Sequence, residues 1–370
     1  MHEMTYSEKM QALPASKPVQ SVIGKANVKV LGLGGGGSNA VDRMIQLGLQ
    51  GVDFIAANTD AQALSSSLAP TKIQLGPRVT RGLGAGGDPK TGAAAAMESS
   101  REIAEALAGS DMVFITSGMG GGTGTGAAPI AAEIAREVGA VVIAVVTMPF
   151  TFEMNRRAQH ALEGVRQLQP HTHTMITVPN DRLLQVVPRD LSLEVAFRLA
   201  DDVLRQGVQG IAELITRPGL INVDFAHIRQ LMLTGGGAYM AIGLGEGLDK
   251  ADDAIEQAIT HPLLDFDNIE QASGVLVHFT GGEDLTLFEI GESVTSLRER
   301  LAPEVDIILG ATTEPAMTGR AQVIMIFTGV GGQPLQTEEG AVQIQSPIPV
   351  DVVEDLDLPT FLRRRAQIGG

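Results

Sequence analysis

Gly118-Met119-Gly120-Gly121-Gly122-Thr123-Gly124-Thr125-Gly126 is the stretch on which the reading of this chain turns. It follows an apolar run, Met112 to Ile115, that predicts a buried strand. After it, Ala127 to Val138 has helical periodicity, with Pro129 expected in the first turn, where a missing N–H does no harm. A glycine loop between a strand end and a helix start presents several backbone N–H groups to an anion. Such loops can also be plain turns. Two threonines inside the GGGTGTG core, Thr123 and Thr125, add hydroxyl donors and favour a phosphate loop.

The rest of the N-terminal half repeats the arrangement. Val28 to Leu33 predicts a strand, Gly34-Gly35-Gly36-Gly37-Ser38-Asn39 a second glycine loop, and Ala40 to Leu47 a helix. Val52 to Ala57 predicts a strand ending in Asn58-Thr59-Asp60, and Gly82 to Pro89 a third glycine loop before an Ala-rich helix over 90–107. A β-branched run, Val141 to Thr147, predicts another buried strand. Apolar strands alternating with helices indicate a parallel sheet covered on both faces, which binds ligands beyond the carboxyl ends of its strands. The fold class expected is α/β, with a Rossmann-like parallel-sheet nucleotide domain over 27–192. A long helix is expected over 193–216, with Ser192 as its cap and Leu199, Val203, Leu204, Val208, Ile211, Leu214 and Ile215 as its buried stripe.

Beyond that helix the pattern changes. Strands are expected at 239–243, 275–280, 307–311 and 323–328, with helices at 251–259 and 287–301, giving a smaller α+β domain over 217–330. Residues 331–356, rich in Gln, Glu, Pro and Gly, read as a linker. The end, 357–370, sets Leu358, Pro359, Phe361 and Leu362 beside Arg363 and Arg364, either a frayed tail or a docking peptide that folds on a partner. Residues 1–26 read as a flexible extension.

Composition bounds the function. With 44% hydrophobic and 19% charged residues the 370-residue chain is globular, and the absence of cysteine excludes disulfides and thiolate metal sites. A net charge of −16 argues against nucleic-acid binding, and no apolar run is long enough to span a bilayer. A soluble cytoplasmic protein is expected.

Two nucleotide chemistries compete. Gly32-x-Gly34-x-x-Gly37 satisfies the dinucleotide fingerprint, but that reading wants an acid at the end of the second strand. Asp53 opens its strand, Asp60 lies past the end, and the threonine loop is left unexplained. A Walker lysine is absent as well, so phosphate charge must be met by backbone amides, helix termini and Mg²⁺. A mononucleotide triphosphate fits best.

The GGGTGTG core at Gly120–Gly126 resembles the signature of the tubulin/FtsZ superfamily, and the chain is similar to the FtsZ family of bacterial cell-division GTPases from about Asn27 to Gly329. The likeness includes Gly34–Asn39, Asn58-Thr59-Asp60, Gly82–Pro89, Phe150–Arg157, Val178–Asp181 and Pro218–Phe225, and the tail from Asp357 to Arg365 is similar to the family's C-terminal peptide. The resemblance implies GTP and GDP as ligands, with Gly35, Gly36, Gly37, Gly122, Thr123 and Gly124 on the phosphates. It implies Glu153 and Arg157 on the ribose and phosphate side, Asn39 and Asp201 on guanine, and Phe197 against its face. Ser38, Asn58, Gly120, Gly121 and Thr125 complete the candidate set. Read without the family, Glu153 and Arg157 are an ordinary i,i+4 helix pair and Phe197 a core residue.

The resemblance also implies that each subunit is catalytically incomplete. A loop at Gly219–His227 reaches the nucleotide of the next subunit, giving head-to-tail filaments at the midcell division site, with adaptor or membrane-tether proteins held by the tail. Here the chain departs from the family it resembles. The loop pattern N-x-D-x-x-D is met by Asn222 and Asp224, but the last position is His227. Either imidazole weakens hydrolysis and leaves a GTP-dependent scaffold, or it is a tolerated ligand. Separately, His171-Thr172-His173 has the spacing to face a metal from one side of a strand, though surface histidines are the commoner meaning.

Overall fold

The computed structural model describes residues 26–185, 192–217, 219–221, 223–234, 236–261 and 272–330. The N-terminal extension, Asn222, the linker and the tail residues Leu358, Pro359, Phe361, Leu362, Arg363 and Arg364 lie outside the described residues.

Among the described residues ten strands form one sheet: β1 Val28–Leu33, β2 Asp53–Asn58, β3 Thr71–Gln74, β4 Met112–Gly118, β5 Val141–Met148, β6 Thr174–Pro179, β7 Gly237–Glu246, β8 Gly274–Gly281, β9 Asp306–Thr313 and β10 Arg320–Val330. Their order is β3-β2-β1-β4-β5-β6-β7-β10-β8-β9. The first six are parallel and run 3-2-1-4-5-6, the doubly wound order in which the direction of travel reverses between β1 and β4. β6 meets β7 through two parallel pairs, Met175↔Gly237 and Ile176↔Ala238; β10 is antiparallel to both β7 and β8, and β9 lies parallel to β8.

Alternation along these strands feeds two cores. Val28, Val30, Met112, Phe114, Ile143 and Val145 point to one face, against the helix α1 Gly34–Gln46 and the long helix Leu193–Thr216. Leu31, Leu33, Val113, Ile115, Val142 and Ala144 point to the other, with the helix α5 Thr123–Glu137. Between α1 and α5 in the chain come α2 Ala61–Ser66, α3 Pro89–Glu98 and α4 Ser100–Leu107; after α5 come α6 Asn155–Leu168, α7 Asn180–Leu183 and, as α8, the long helix. α9 Phe225–Leu233, α10 Lys250–Ile259 and α11 Leu287–Glu299 follow, α10 and α11 closing a third core on β7–β10. Among the described residues no helix is long and apolar enough to cross a membrane.

The long helix matches its expected span within a residue. Ser192 caps it through Val195 N–H (3.4 Å), and Val203, Leu204, Val208, Ile211 and Leu214 are buried, with Leu199 and Ile215 partly so. Other elements differ for identifiable reasons. The single helix expected over 90–107 breaks at Ser99, whose buried hydroxyl accepts from Gly76 N–H and donates to Gln74 carbonyl, tying the break to the end of β3. Two helices begin earlier than expected, at Gly34 and Thr123, so the glycine loops are largely first turns. Pro129 therefore lies inside α5, where it removes the bond to the Thr125 carbonyl. His173 stands just before β6, and its Nδ1 accepts the Val142 N–H at 2.9 Å, so it extends the pairing of β6 with β5. Burial and the nearby Arg136 and Arg229 hold its pKa below the usual histidine range, and no group of three metal-ligating side chains occurs among the described residues.

Close packing explains why the loop glycines are glycines. A Cβ at Gly37 would stand 2.3 Å from the Thr116 carbonyl oxygen, whereas one at Gly35 would meet nothing within 4 Å. Gly37→Ala is therefore expected to lose about 1–3 kcal/mol in urea unfolding, as overpacking against backbone does. Gly35→Ala is expected to unfold as the parent does or slightly later. Equal midpoints for the two variants would contradict this packing.

Candidate functional site

The loops after β1 and β4 meet where the strand order reverses. Each opens a helix, and neither helix has a side-chain cap: Leu33 precedes α1 and Gly122 precedes α5. Their neighbours at the same edge are capped, α2 by Asp60, which accepts from Gln62 and Ala63 N–H, and α3 by Asp88, which accepts from Lys90 and Thr91 N–H. Two uncapped helix N-termini converging on one crevice form an anion site through their unpaired N–H groups and aligned dipoles.

Room for a ligand is built in. Gly121, like Gly35, has nothing within 4 Å of where a Cβ would lie, and neither needs positive φ, so the fold does not demand glycine at either position. Ser38 is buried, and its hydroxyl oxygen has no protein partner. Gly36 and Gly37 line the same turn of α1, with Asn39 exposed on its outer side. Thr123 lies at the start of α5, where its hydroxyl meets that of Thr59 at 2.6 Å and ties the Asn58-Thr59-Asp60 corner to the second glycine loop.

Several expected contacts have other roles. Thr125 is 1% exposed and accepts the Gly120 N–H at 2.8 Å, so it closes the loop from behind. Asn58 is buried, its side-chain oxygen accepting from Asp60 N–H (3.2 Å), and it shapes the corner from within. Gly122 and Gly124 are buried under the loop, where a Cβ would meet Asp88 N–H at 2.9 Å and the Ser117 hydroxyl at 2.2 Å. Asp60 is a helix cap and Asp53 is exposed at the start of β2, so neither serves the dinucleotide reading.

On the β5–β6 side, Glu153 and Arg157 are paired, but not along one helix. Glu153 ends a 3-10 turn, Thr151–Glu153, Met154 intervenes, and Arg157 belongs to α6. Glu153 Oε1 also accepts the Phe150 N–H at 2.9 Å. Arg157 lies against the glycine loop, for a Cβ at Gly120 would stand 2.8 Å from its carbonyl oxygen. Phe197, on the first turns of α8, is 38% exposed and packs edge-on against Phe150 (5.6 Å) and Phe152 (6.4 Å). Phe152, stacked on Phe150 at 4.9 Å and half exposed, is an aromatic wall the sequence reading missed, although it alternates with Phe150 in the same motif. One turn along α8 from Phe197, Asp201 receives a hydrogen bond from the Asn39 side chain; burial lifts its carboxyl to about 7, and that hydrogen bond works the other way.

Asp224 and His227 lie elsewhere. Asp224 is exposed and caps α9 through Ala226 N–H (3.0 Å), and His227 is exposed on the first turn of α9. α9 borders a hollow of about 560 Å³ with Asp111 and Gly139, the residues that lead into β4 and β5, at the amino edge of the parallel strands. The glycine loops are at the carboxyl edge. Ile221, in the same loop, bridges to Ala311 of β9 through both backbone bonds (3.4 and 3.3 Å).

Residues 27–188 match the tubulin/FtsZ family GTPase domain and residues 236–331 the FtsZ family C-terminal domain. The chain is 45% identical over 359 residues to the cell division protein FtsZ of Pseudomonas putida, covering 92% of this chain and 90% of that one. A structure of an empty FtsZ dimer from M. jannaschii superposes with a TM-score of 0.80 at 44% identity, covering 88% of this chain and 93% of that one. CetZ2 from Haloferax volcanii, at 20% identity and a TM-score of 0.69 over 82% of this chain and 93% of that one, shares the fold.

The Asn39–Asp201 contact generates a direct test. In carbon-detected NMR of the ligand-free protein, Asp201 is expected to titrate near 7, and Asn39→Ala to move it higher, because the donor that favours the carboxylate is gone. Titration in the ordinary aspartate range, or a downward move in the variant, would contradict the described environment.

Proposed function

The chain belongs to the FtsZ branch of the tubulin/FtsZ family, and from that membership we propose that it binds GTP at the glycine-lined edge, assembles head to tail, and hydrolyses GTP where one subunit meets the next. One observation carries the reading: the anion crevice and the Asp224–His227 loop occupy opposite edges of the parallel sheet. From Asp201 to the end of α8 at Thr216 the helix advances about 22 Å. Asp224 and His227, which follow that end, stand at the edge away from the crevice of their own chain, which supports a site completed by a second copy. Contact between two different surfaces of identical chains does not close, and it propagates as a filament.

In this reading the N–H groups of Gly35, Gly36, Gly37, Gly121, Gly122 and Gly124, with the Ser38 and Thr123 hydroxyls, hold the phosphates. Arg157 adds a positive charge beside them, oriented by Glu153. Asp201 as carboxylate accepts the N–H donors of guanine, Asn39 orients it, and Phe197 covers the base face. Mg²⁺ would arrive on the triphosphate and supply charge neutralisation there. From the neighbouring subunit, Asp224 orients the attacking water, with Asn222 and His227 beside it in the loop. The reading extends to action at the division site in the cytoplasm, with adaptor or membrane-tether proteins taken by the tail.

His227 supports a second, narrower reading. An imidazole has no charge to offer a cation when neutral and repels one when protonated, so assembly would persist while hydrolysis slows. Phosphate release and light scattering are to be followed together with GTP and Mg²⁺. The parent is expected to scatter with slow release, and His227→Asp to release phosphate on the order of tenfold faster, equivalent to about 1.4 kcal/mol of barrier. Brisk release from both would leave a dynamic GTPase with a tolerated histidine.

Guanine recognition carries its own pH dependence. The free protein holds a proton on Asp201 below about 7, and the base requires the carboxylate, so binding must expel that proton. GTP affinity is expected to be level above pH 7 and to fall towards tenfold per unit below it, a slope that Asp201→Asn abolishes. Calorimetry across pH 5.5 to 8 reads this, and a flat profile in the parent would remove Asp201 from the base site.

A further inference from the structure

Among the described residues only two non-glycine residues have positive φ, Arg81 and Met154. Both lie on carboxyl-edge loops, Arg81 immediately before Gly82–Pro89 and Met154 between β5 and α6. At φ 77° and ψ 153°, Met154 occupies a region essentially reserved for glycine. Its side chain is 77% exposed, so no burial offsets the strain. It also precedes the first residue of α6 and makes no side-chain cap, a position where methionine is a poor choice. A residue that violates local preference twice, with nothing gained in packing, marks a place where function sets the backbone.

What holds Met154 there is the anchoring on either side. Before it, Phe150 is buried and stacked on Phe152, and the Thr151 N–H and hydroxyl both donate to the Asp181 carboxylate. After it, α6 carries the Arg157 backbone against Gly120, and the Met154 carbonyl accepts the Arg157 N–H at 3.1 Å. Met154 is the single link between these two bodies, and the Glu153–Arg157 pair closes across it.

We propose that Met154 is a positioning residue that sets nucleotide affinity through backbone strain. The arrangement that pairs Glu153 with Arg157 and sets Phe150 and Phe152 against Phe197 is the one the Met154 backbone resists. Relaxation to negative φ turns the 150–153 segment relative to α6 and separates that pair. A ligand held by these groups must restore the strained form, and its apparent affinity falls by the fraction of free protein already in it. The inference rests on the reading of Glu153, Arg157 and Phe197 as nucleotide contacts. Its consequence is weaker binding and faster nucleotide release than the same contacts would give around a glycine.

The test measures the dissociation constant and release rate of a fluorescent GTP analogue on the full-length chain, with thermal unfolding recorded with and without nucleotide. Met154→Gly is expected to bind on the order of tenfold tighter, the equivalent of the cost of such a conformation, and to release more slowly. Met154→Ala keeps the Cβ and hence the strain, and is expected to bind as the parent does. Three results overturn the proposal. One is a glycine variant that is equally stabilised with and without nucleotide and binds unchanged, because the strain is then common to both states. Another is a glycine variant that binds more weakly, and the last is an alanine variant that shifts as far as glycine, because the side chain is then responsible. Arg157→Ala separates the layers: weakened binding there with an unchanged glycine variant defeats the strain proposal alone, and parent-like binding defeats the contact reading beneath it.

Discussion

Two helices begin where a parallel sheet reverses its strand order, and neither carries a side chain to satisfy its first N–H groups. Unpaired donors at the positive ends of two dipoles are costly unless water or an anion meets them, and the surrounding residues are arranged to admit an anion. Gly37 and Gly124 let the backbone of both helices press against β4, which brings the two N-termini together. Gly35 and Gly121 keep the space above them open. Thr125 and Thr59 fasten the loop from behind and from the side.

That constraint organises the rest of the chain. α8 begins beside the crevice with Phe197 and Asp201, packs on α1, and ends at the opposite edge against Gln50, whose carbonyl accepts the Thr216 hydroxyl. It therefore joins the glycine-lined edge to the segment that bears Asp224 and His227, and the bridge from Ile221 to Ala311 fastens that segment to β9. Among the described residues positive φ outside glycine occurs at the carboxyl edge, at Arg81 and Met154.

Much of this was legible in the residue order. Strands buried on both faces announce themselves as unbroken apolar runs, and β1, β4 and β5 were found within a few residues. β3 was missed because only Ile73 of its four residues is buried, and β6 because Thr174, Thr177 and Pro179 interrupt its apolar signal. The early starts of α1 and α5 run against glycine's poor helix propensity; packing against Thr116 and Ser117 overrides it, and no local pattern encodes that contact. Thr125 looked like a second Thr123, since sequence gives spacing but not which hydroxyl turns inward. The spacing of Glu153 and Arg157 suggests a helical pair; the pair forms, but across a helix start, and the strained Met154 between them is visible only in the backbone.

A working site shared between two copies is tested most directly by mixing. One variant lacks the loop acid, Asp224→Ala, and keeps its crevice; the other, Thr123→Ala with Asp201→Ala, lacks the crevice and keeps its loop. Each alone is expected to release little phosphate from GTP. In an equal mixture about a quarter of head-to-tail junctions pair an intact crevice with an intact loop, and release is expected to recover towards that fraction. A mixture no more active than its components, with co-sedimentation showing that the two variants assemble together, would mean that each chain carries its whole site, contrary to this account.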